Sequence, residues 1–121
     1  LAQLRDKVSQ KAAQGFLKGL DGRRVYIRSE HAALNTLLQS AGAIVMKKAL
    51  CILDEYAILW NIDYKFVGNI HDEWQVEVRE DQAEKFGFLA VECIKAAGIQ
   101  LELNCPLDGE YNVGNNWKET H

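Results

Sequence analysis

The sequence predicts an α+β fold: a small antiparallel sheet packed with one long helix and one or two shorter helices. Three observations predict it. Trp74, Val76 and Val78 alternate with Gln75, Glu77 and Arg79, the period of two expected of a strand with one buried and one wet face. Upstream, YKFVGNI is rich in β-formers, so the two runs close a hairpin at or near His71, Asp72 and Glu73. From Ser29 to about Trp60 the pattern is helical and contains no proline, a rod of about 45 Å at the α-helical rise.

The remaining elements follow in order. Leu1, Leu4, Val8 and Ala12 recur at helical spacing, so a first helix runs to about residue 14 and ends at Gly15. GFLKGLDGRRVYIRS then reads as two short strands around Asp21-Gly22, a dipeptide favoured in tight hairpins. Arg23 and Arg24 flank that turn and suit either a solvated strand edge or a phosphate contact. Ser29 is placed to cap the long helix, with Glu30 favoured by the helix dipole.

One face of the long helix carries Leu34, Leu37, Leu38, Ala41 and Val45; another holds His31, Asn35 and Gln39 at i, i+4 and i+8. Asn is a poor residue inside a helix, and a row of uncharged donors suits the acceptors of a DNA minor groove. A polar helix face packed on other protein would use the same residues. Further on, EDQAEKFGFLAVECIKAAG places Ala83, Phe86, Leu89, Ala90, Cys93 and Ile94 on one side of an amphipathic helix that Gly98 should close. IQLELNCPLDGEYNVG reads as extended, and the chain has no repeats or low-complexity tracts.

Composition narrows the classes of function. The chain has 121 residues, 48% of them hydrophobic, enough for one real core. A net charge of −3 and a pI near 5.6 argue against a freestanding basic DNA-binding module, while leaving room for a local basic surface. Cys51, Cys93 and Cys105 are odd in number and widely spaced, which predicts buried thiols in a reducing compartment rather than disulfides or zinc. No uninterrupted apolar run of about 18 residues predicts a membrane span, so no membrane partner is expected. LAQLRDKVSQ lacks a signal-peptide core and starts mid-helix without Met, so the expectation is a piece of a longer cytoplasmic protein.

Paired acids at a hairpin turn admit two readings. Turns favour Asp for its backbone hydrogen bonds, and their tips are solvated. Carboxylates at a strand end can also seat Mg²⁺, which takes one or two carboxylates and fills its other positions with water and phosphate. A metal hydrolase built on His71, Asp72 and Glu73 fits poorly, because His31 and His121 show no ligand spacing.

The order of motifs distinguishes these readings. GFLKGLDGRRVYIRSEHAALNTLLQSAGA, then NIHDE, then a terminal GNNWKETH, resembles the C-terminal end of family A DNA polymerases. HAALNTLLQSAGA and LDG resemble the phage replicative branch most, and the resemblance spans essentially all of the chain. It implies that residues 71–73 are the family's third polymerase motif. Asp72 would be the catalytic carboxylate that binds both Mg²⁺ ions, Glu73 a weaker or outer catalytic neighbour, and His71 a contact to the primer end. Asn35 and Gln39 would touch the minor groove and template. His31 stands where bacterial members carry Arg, and phage members match it.

The resemblance also implies primer-template DNA and dNTP as partners of the complete enzyme, and a host cytoplasm if the parent is phage-encoded. Residues 1–121 would then be the C-terminal fingers-end and palm segment, without the upstream palm motif, fingers, thumb or any exonuclease domain. Such a segment is expected to be inactive alone and to self-associate through exposed apolar surface. The alternative is a non-catalytic binding or interaction domain derived from the palm.

Overall fold

The computed structural model describes residues 1–121, which divide into two compact units, Leu1–Ile44 and Val45–His121. The first contains α1 (Ala2–Ala12), β1 (Phe16–Lys18), β2 (Arg24–Tyr26), a 3₁₀ turn (Glu30–Ala32) and the start of α2 (Ala33–Leu59). Gly15, at φ +92°, turns the chain out of α1, a backbone region that costs glycine nothing. β1 and β2 pair antiparallel with Phe16 opposite Tyr26 and Lys18 opposite Arg24, so a five-residue loop, 19–23, joins them in place of a two-residue turn. Its carbonyls and amides bond across the loop (Gly19 N to Arg23 O at 2.8 Å, Gly22 N to Gly19 O at 3.0 Å). Val8, Ala12, Leu17 and Ala33 form the core of this unit, with Ile27, Leu34 and Leu37 packed on it.

Ser29 stands at the N-cap, but its hydroxyl makes no capping bond; Ala32 N instead donates to Ser29 O at 3.1 Å. Leu38, expected on the packed face of α2, is 59% exposed.

The second unit contains the remainder of α2, β3 (Tyr64–Ile70), β4 (Glu73–Val78), a 3₁₀ turn (Glu80–Gln82), α3 (Ala83–Gln100) and α4 (Trp117–Thr120). Its core joins Ala49, Ile52, Leu53 and Ala57 of α2 to Phe86, Leu89, Cys93 and Ala97 of α3, with Ile62 between and Trp74, Val76 and Val78 of β4 packed against them. The Tyr64 hydroxyl donates to the Asp54 carboxylate, and burial followed by that acid pushes its pKa up to about 12.

Both long helices of this unit end in the same way. At α2, Asn61 N bonds Ile58 O at 3.1 Å and Ile62 N bonds Ala57 O at 3.0 Å; at α3, Glu102 N bonds Ile99 O and Leu103 N bonds Gly98 O, both at 3.0 Å. These are Schellman pairs, with Asn61 (φ 54°) and Glu102 (φ 56°) in the left-handed position usually given to glycine. Gly98 therefore does not close α3. A Cβ there would meet Leu107 Cγ at 2.9 Å, and one at Gly87 would meet the Tyr111 ring at 2.2 Å. The two glycines let the segment after α3 lie along the helix, where Tyr111 Oη also donates to Glu84 Oε2 at 2.8 Å. That segment, 103–114, pairs with no strand.

The α+β fold with its antiparallel strands is as expected, the strands forming two two-stranded hairpins. Two other sequence expectations need correction. Only Cys93 is a buried thiol, its pKa pushed up to about 11 by burial and then by Glu92, whereas Cys51 and Cys105 are exposed. The helix Glu30–Leu59 is long and apolar enough on average to cross a membrane; counting uninterrupted apolar residues overlooked it, because scattered polar residues break the run. In the second unit its Ala49, Ile52, Leu53 and Ala57 are instead buried against α3.

Candidate metal and nucleic-acid site

β3 and β4 pair from Tyr64 opposite Val78 to Ile70 opposite Glu73, leaving His71 and Asp72 as a two-residue loop. Such loops need a left-handed residue to match the twist of the strands, and His71 supplies it at φ +56°. A bulge between Phe66 and Gly68 shifts the register once along β3; bulges bend a strand and add twist, re-aiming what lies beyond them.

The two acids differ in surroundings. Asp72 sits exposed at the loop, and its carboxylate accepts no hydrogen bond and joins no ion pair. Glu73 opens β4 half-buried; its Oε1 accepts from Gln75 Nε2 at 2.6 Å and its Oε2 lies 3.2 Å from His121 Nδ1. Thr120 Oγ1 donates to Gln75 Oε1 at 3.2 Å, so the C-terminal residues hold the pair from the far side. The hairpin thus presents one free carboxylate beside one already satisfied. Asp72 has the hard oxygen chemistry of a Mg²⁺ ligand, but no three His, Cys, Asp or Glu side chains converge as a complete metal cage.

The C-terminal anchor is built locally. Asn116 Oδ1 accepts from Glu119 N at 3.1 Å, and Glu119 Oε2 accepts from Asn115 N at 2.5 Å, reciprocal capping that starts α4. The Trp117 and His121 rings then meet edge-on at 6.2 Å. Sequence reading gave Gln75 and Thr120 no role at the tip and weighed His121 only as a metal ligand, although the Asn-x-x-Glu spacing at 116–119 was a legible sign of the helix.

His31, Asn35 and Gln39 lie in the other unit. All three are exposed, and their side chains make no hydrogen bond within the chain. Asn35 and Gln39 share one face of α2, one turn apart, with His31 in the 3₁₀ turn that leads into it. His71, Asp72 and Glu73 are brought together by the hairpin; these three are brought together by the helix.

Comparison with known proteins identifies the family of the chain. The profile of DNA polymerase family A matches residues 3–119. The DNA-directed DNA polymerase of Escherichia phage Phieco32 is 39% identical and matches 100% of this chain, which spans 21% of that relative. The DNA-directed DNA polymerase of Escherichia phage T7 is 40% identical over 88% of this chain and 16% of the relative. DNA polymerase I of Pseudomonas aeruginosa is 32% identical over 100% of this chain and 14% of the relative. Among solved structures, the POL domain of Pol1 from M. smegmatis, in complex with DNA primer-template and dNTP, matches with a TM-score of 0.71 and 25% identity, over 79% of this chain and 19% of that one. The chain spans about a fifth or less of the length of these relatives, and it belongs to DNA polymerase family A.

Proposed function

We propose that this chain is the C-terminal fingers-end and palm portion of a DNA-directed DNA polymerase that copies primer-template DNA with dNTPs. It would work in the cytoplasm, that of the host if the parent is phage-encoded. Its own residues would do two things: Asp72 would hold metal at the hairpin tip, and the His31, Asn35 and Gln39 stripe would line the minor groove. The observation that carries this reading is the asymmetry of the acids: Asp72 is free and exposed while Glu73 is tied to Gln75 and His121.

Two Mg²⁺ ions, when bound in the complete enzyme, would lower the pKa of the primer hydroxyl and neutralise charge on the leaving pyrophosphate. Asp72 then contributes a negative charge at a fixed point, and Glu73 acts from the outer shell by holding Gln75 and His121 in place. His71, one residue before Asp72, would meet the primer end. Because the chain supplies no complete metal cage, it should not extend a primer alone. The same incomplete donor set favours the second reading, a non-catalytic binding domain on the polymerase fold.

Single-turnover incorporation by the parent enzyme decides between them. Asp72→Asn should lower kcat by at least a few hundredfold, since charge stabilisation of the transition state is worth several kcal/mol. Glu73→Gln should cost distinctly less, and DNA affinity should change little in either. Near wild-type incorporation by Asp72→Asn would leave only the binding-domain reading. For the stripe, Gln39→Ala should impair extension and mismatch discrimination more than Lys47→Ala, because it removes a donor aimed at base acceptors. Equal effects from both would remove Gln39 from the groove.

A further inference from the structure

The tip of the β3–β4 hairpin reaches past the core that supports its base. Val78, Val76 and Trp74 pack on the second cluster, but Ile70 is 39% exposed, and His71 and Asp72 are exposed as well. Two side chains beside the tip have partners outside the hairpin, and both partners lie at the end of α4. Thr120 Oγ1 donates to Gln75 Oε1 at 3.2 Å, and His121 Nδ1 lies 3.2 Å from Glu73 Oε2. A carboxylate only accepts, so Nδ1 is the donor. Gln75 Nε2 donates to Glu73 Oε1 at 2.6 Å, which closes a chain of bonds from Thr120 through Gln75 and Glu73 to His121.

α4 is a single turn of four residues, too short to persist on its own backbone bonds. The reciprocal Asn116 and Glu119 caps hold it, and the chain before it folds close: a Cβ at Gly114 would meet Glu119 Cβ at 2.6 Å. Thr120 is its one half-buried residue, and that side chain is turned onto Gln75. The Trp117 ring lies edge-on to the His121 ring and limits where the imidazole can point.

We propose that α4 is a clasp on the hairpin tip, with Thr120 and His121 as positioning residues for Asp72; the proposal rests on the polymerase reading. His71 holds a left-handed φ of 56°, a conformation that persists only where its surroundings over-determine it. Glu73 and Gln75 follow that loop directly at the start of β4. Tying both side chains to α4 fixes the direction from which Asp72 projects. The same bonds occupy both Glu73 oxygens, which leaves Asp72 as the carboxylate free to face a cation.

The test joins amide hydrogen exchange in the metal-free parent enzyme to single-turnover incorporation by the same variants. Thr120→Val and His121→Ala should each speed exchange at residues 70–73 by about 3- to 10-fold, the worth of one hydrogen bond. Exchange along α3 should stay as in the wild type. Each variant should lower kcat by a similar factor with the KM for dNTP unchanged. Thr120→Ser, which keeps the hydroxyl, should retain the wild-type rate, and Lys118→Ala, on the same turn, should change neither readout. In a Glu73→Ala background His121→Ala should cost nothing further, because it acts through Glu73. Unchanged exchange at the tip, equal acceleration along α3, equal losses from Thr120→Ser and Thr120→Val, or a His121→Ala loss undiminished by Glu73→Ala would overturn the clasp. Its failure is separable from failure of the catalytic reading. Additive losses alongside an inactive Asp72→Asn parent remove only the clasp; an active Asp72→Asn parent with tip exchange still set by α4 removes only the metal seat.

Discussion

Hairpin β1–β2 joins strands of three residues through a five-residue loop with Gly22 at φ +83°, and its open side shows cations. Hairpin β3–β4 joins strands of seven and six residues through a two-residue loop with His71 at φ +56°, and its tip shows an acid. In the first loop the acid is neutralised by its neighbour, Arg23, and in the second it is left free. The first hairpin takes the left-handed position with the residue that costs least there; the second gives it to a side chain with chemistry of its own. A non-glycine residue in that region costs on the order of 1–2 kcal/mol, the kind of strain that surrounding structure must hold in place. Here it is held by a larger core and by Thr120 and His121 on the adjacent Gln75 and Glu73.

The largest test of this contrast concerns the cores beneath the hairpins. Leu53 is wholly buried in the second cluster, so Leu53→Ala should destabilise the chain by about 3–5 kcal/mol in denaturant unfolding. Leu17→Ala, in the smaller first cluster, should cost about 2–3 kcal/mol. Equal losses would mean that the two hairpins rest on equally stiff supports.

A smaller effect comes from the loops. Gly22→Ala should cost about 1 kcal/mol, because alanine cannot relax at that φ. His71→Gly should change stability by less than about 1 kcal/mol and in the opposite direction, relief of strain outweighing the added chain entropy. If His71→Gly were the more destabilising of the two, the histidine would be making contacts that offset its backbone.

The smallest effect is on pH dependence. Burial raises the Cys93 thiol to about 11, above the ordinary value of about 8.5. The folded state therefore holds that proton more tightly than the unfolded chain. Its contribution is complete below about pH 8.5 and is lost as pH rises toward 11. Unfolding free energy measured between those limits should fall less steeply in Cys93→Ala than in the wild type. A slope left unchanged by Cys93→Ala would mean that this thiol titrates alike in the folded and unfolded chain.

Much of this molecule was legible in the sequence because it rests on local periodicity. The alternation through Trp74, Val76 and Val78, the helical spacing from Leu34 onward, and Asp21-Gly22 between two short strands all correspond to observed elements. The HDE tip was legible for the same reason: a strand pattern on each side leaves only a turn between. What the tertiary structure alone decided depends on residues far apart in the chain. Whether Gly98 ends a helix or seats Leu107 is set by where the segment after α3 lies, and Gly87 answers likewise to Tyr111. Glu102 holds the left-handed cap position within the backbone bonds of that helix end. The difference between Asp72 and Glu73, adjacent and nearly alike in sequence, comes from Thr120 and His121 more than forty positions away. A period describes which face of an element is buried; which side chain finds a partner is settled only when distant segments pack, because hydrogen bonds and close contacts act over a few ångströms of space, whatever the separation along the chain.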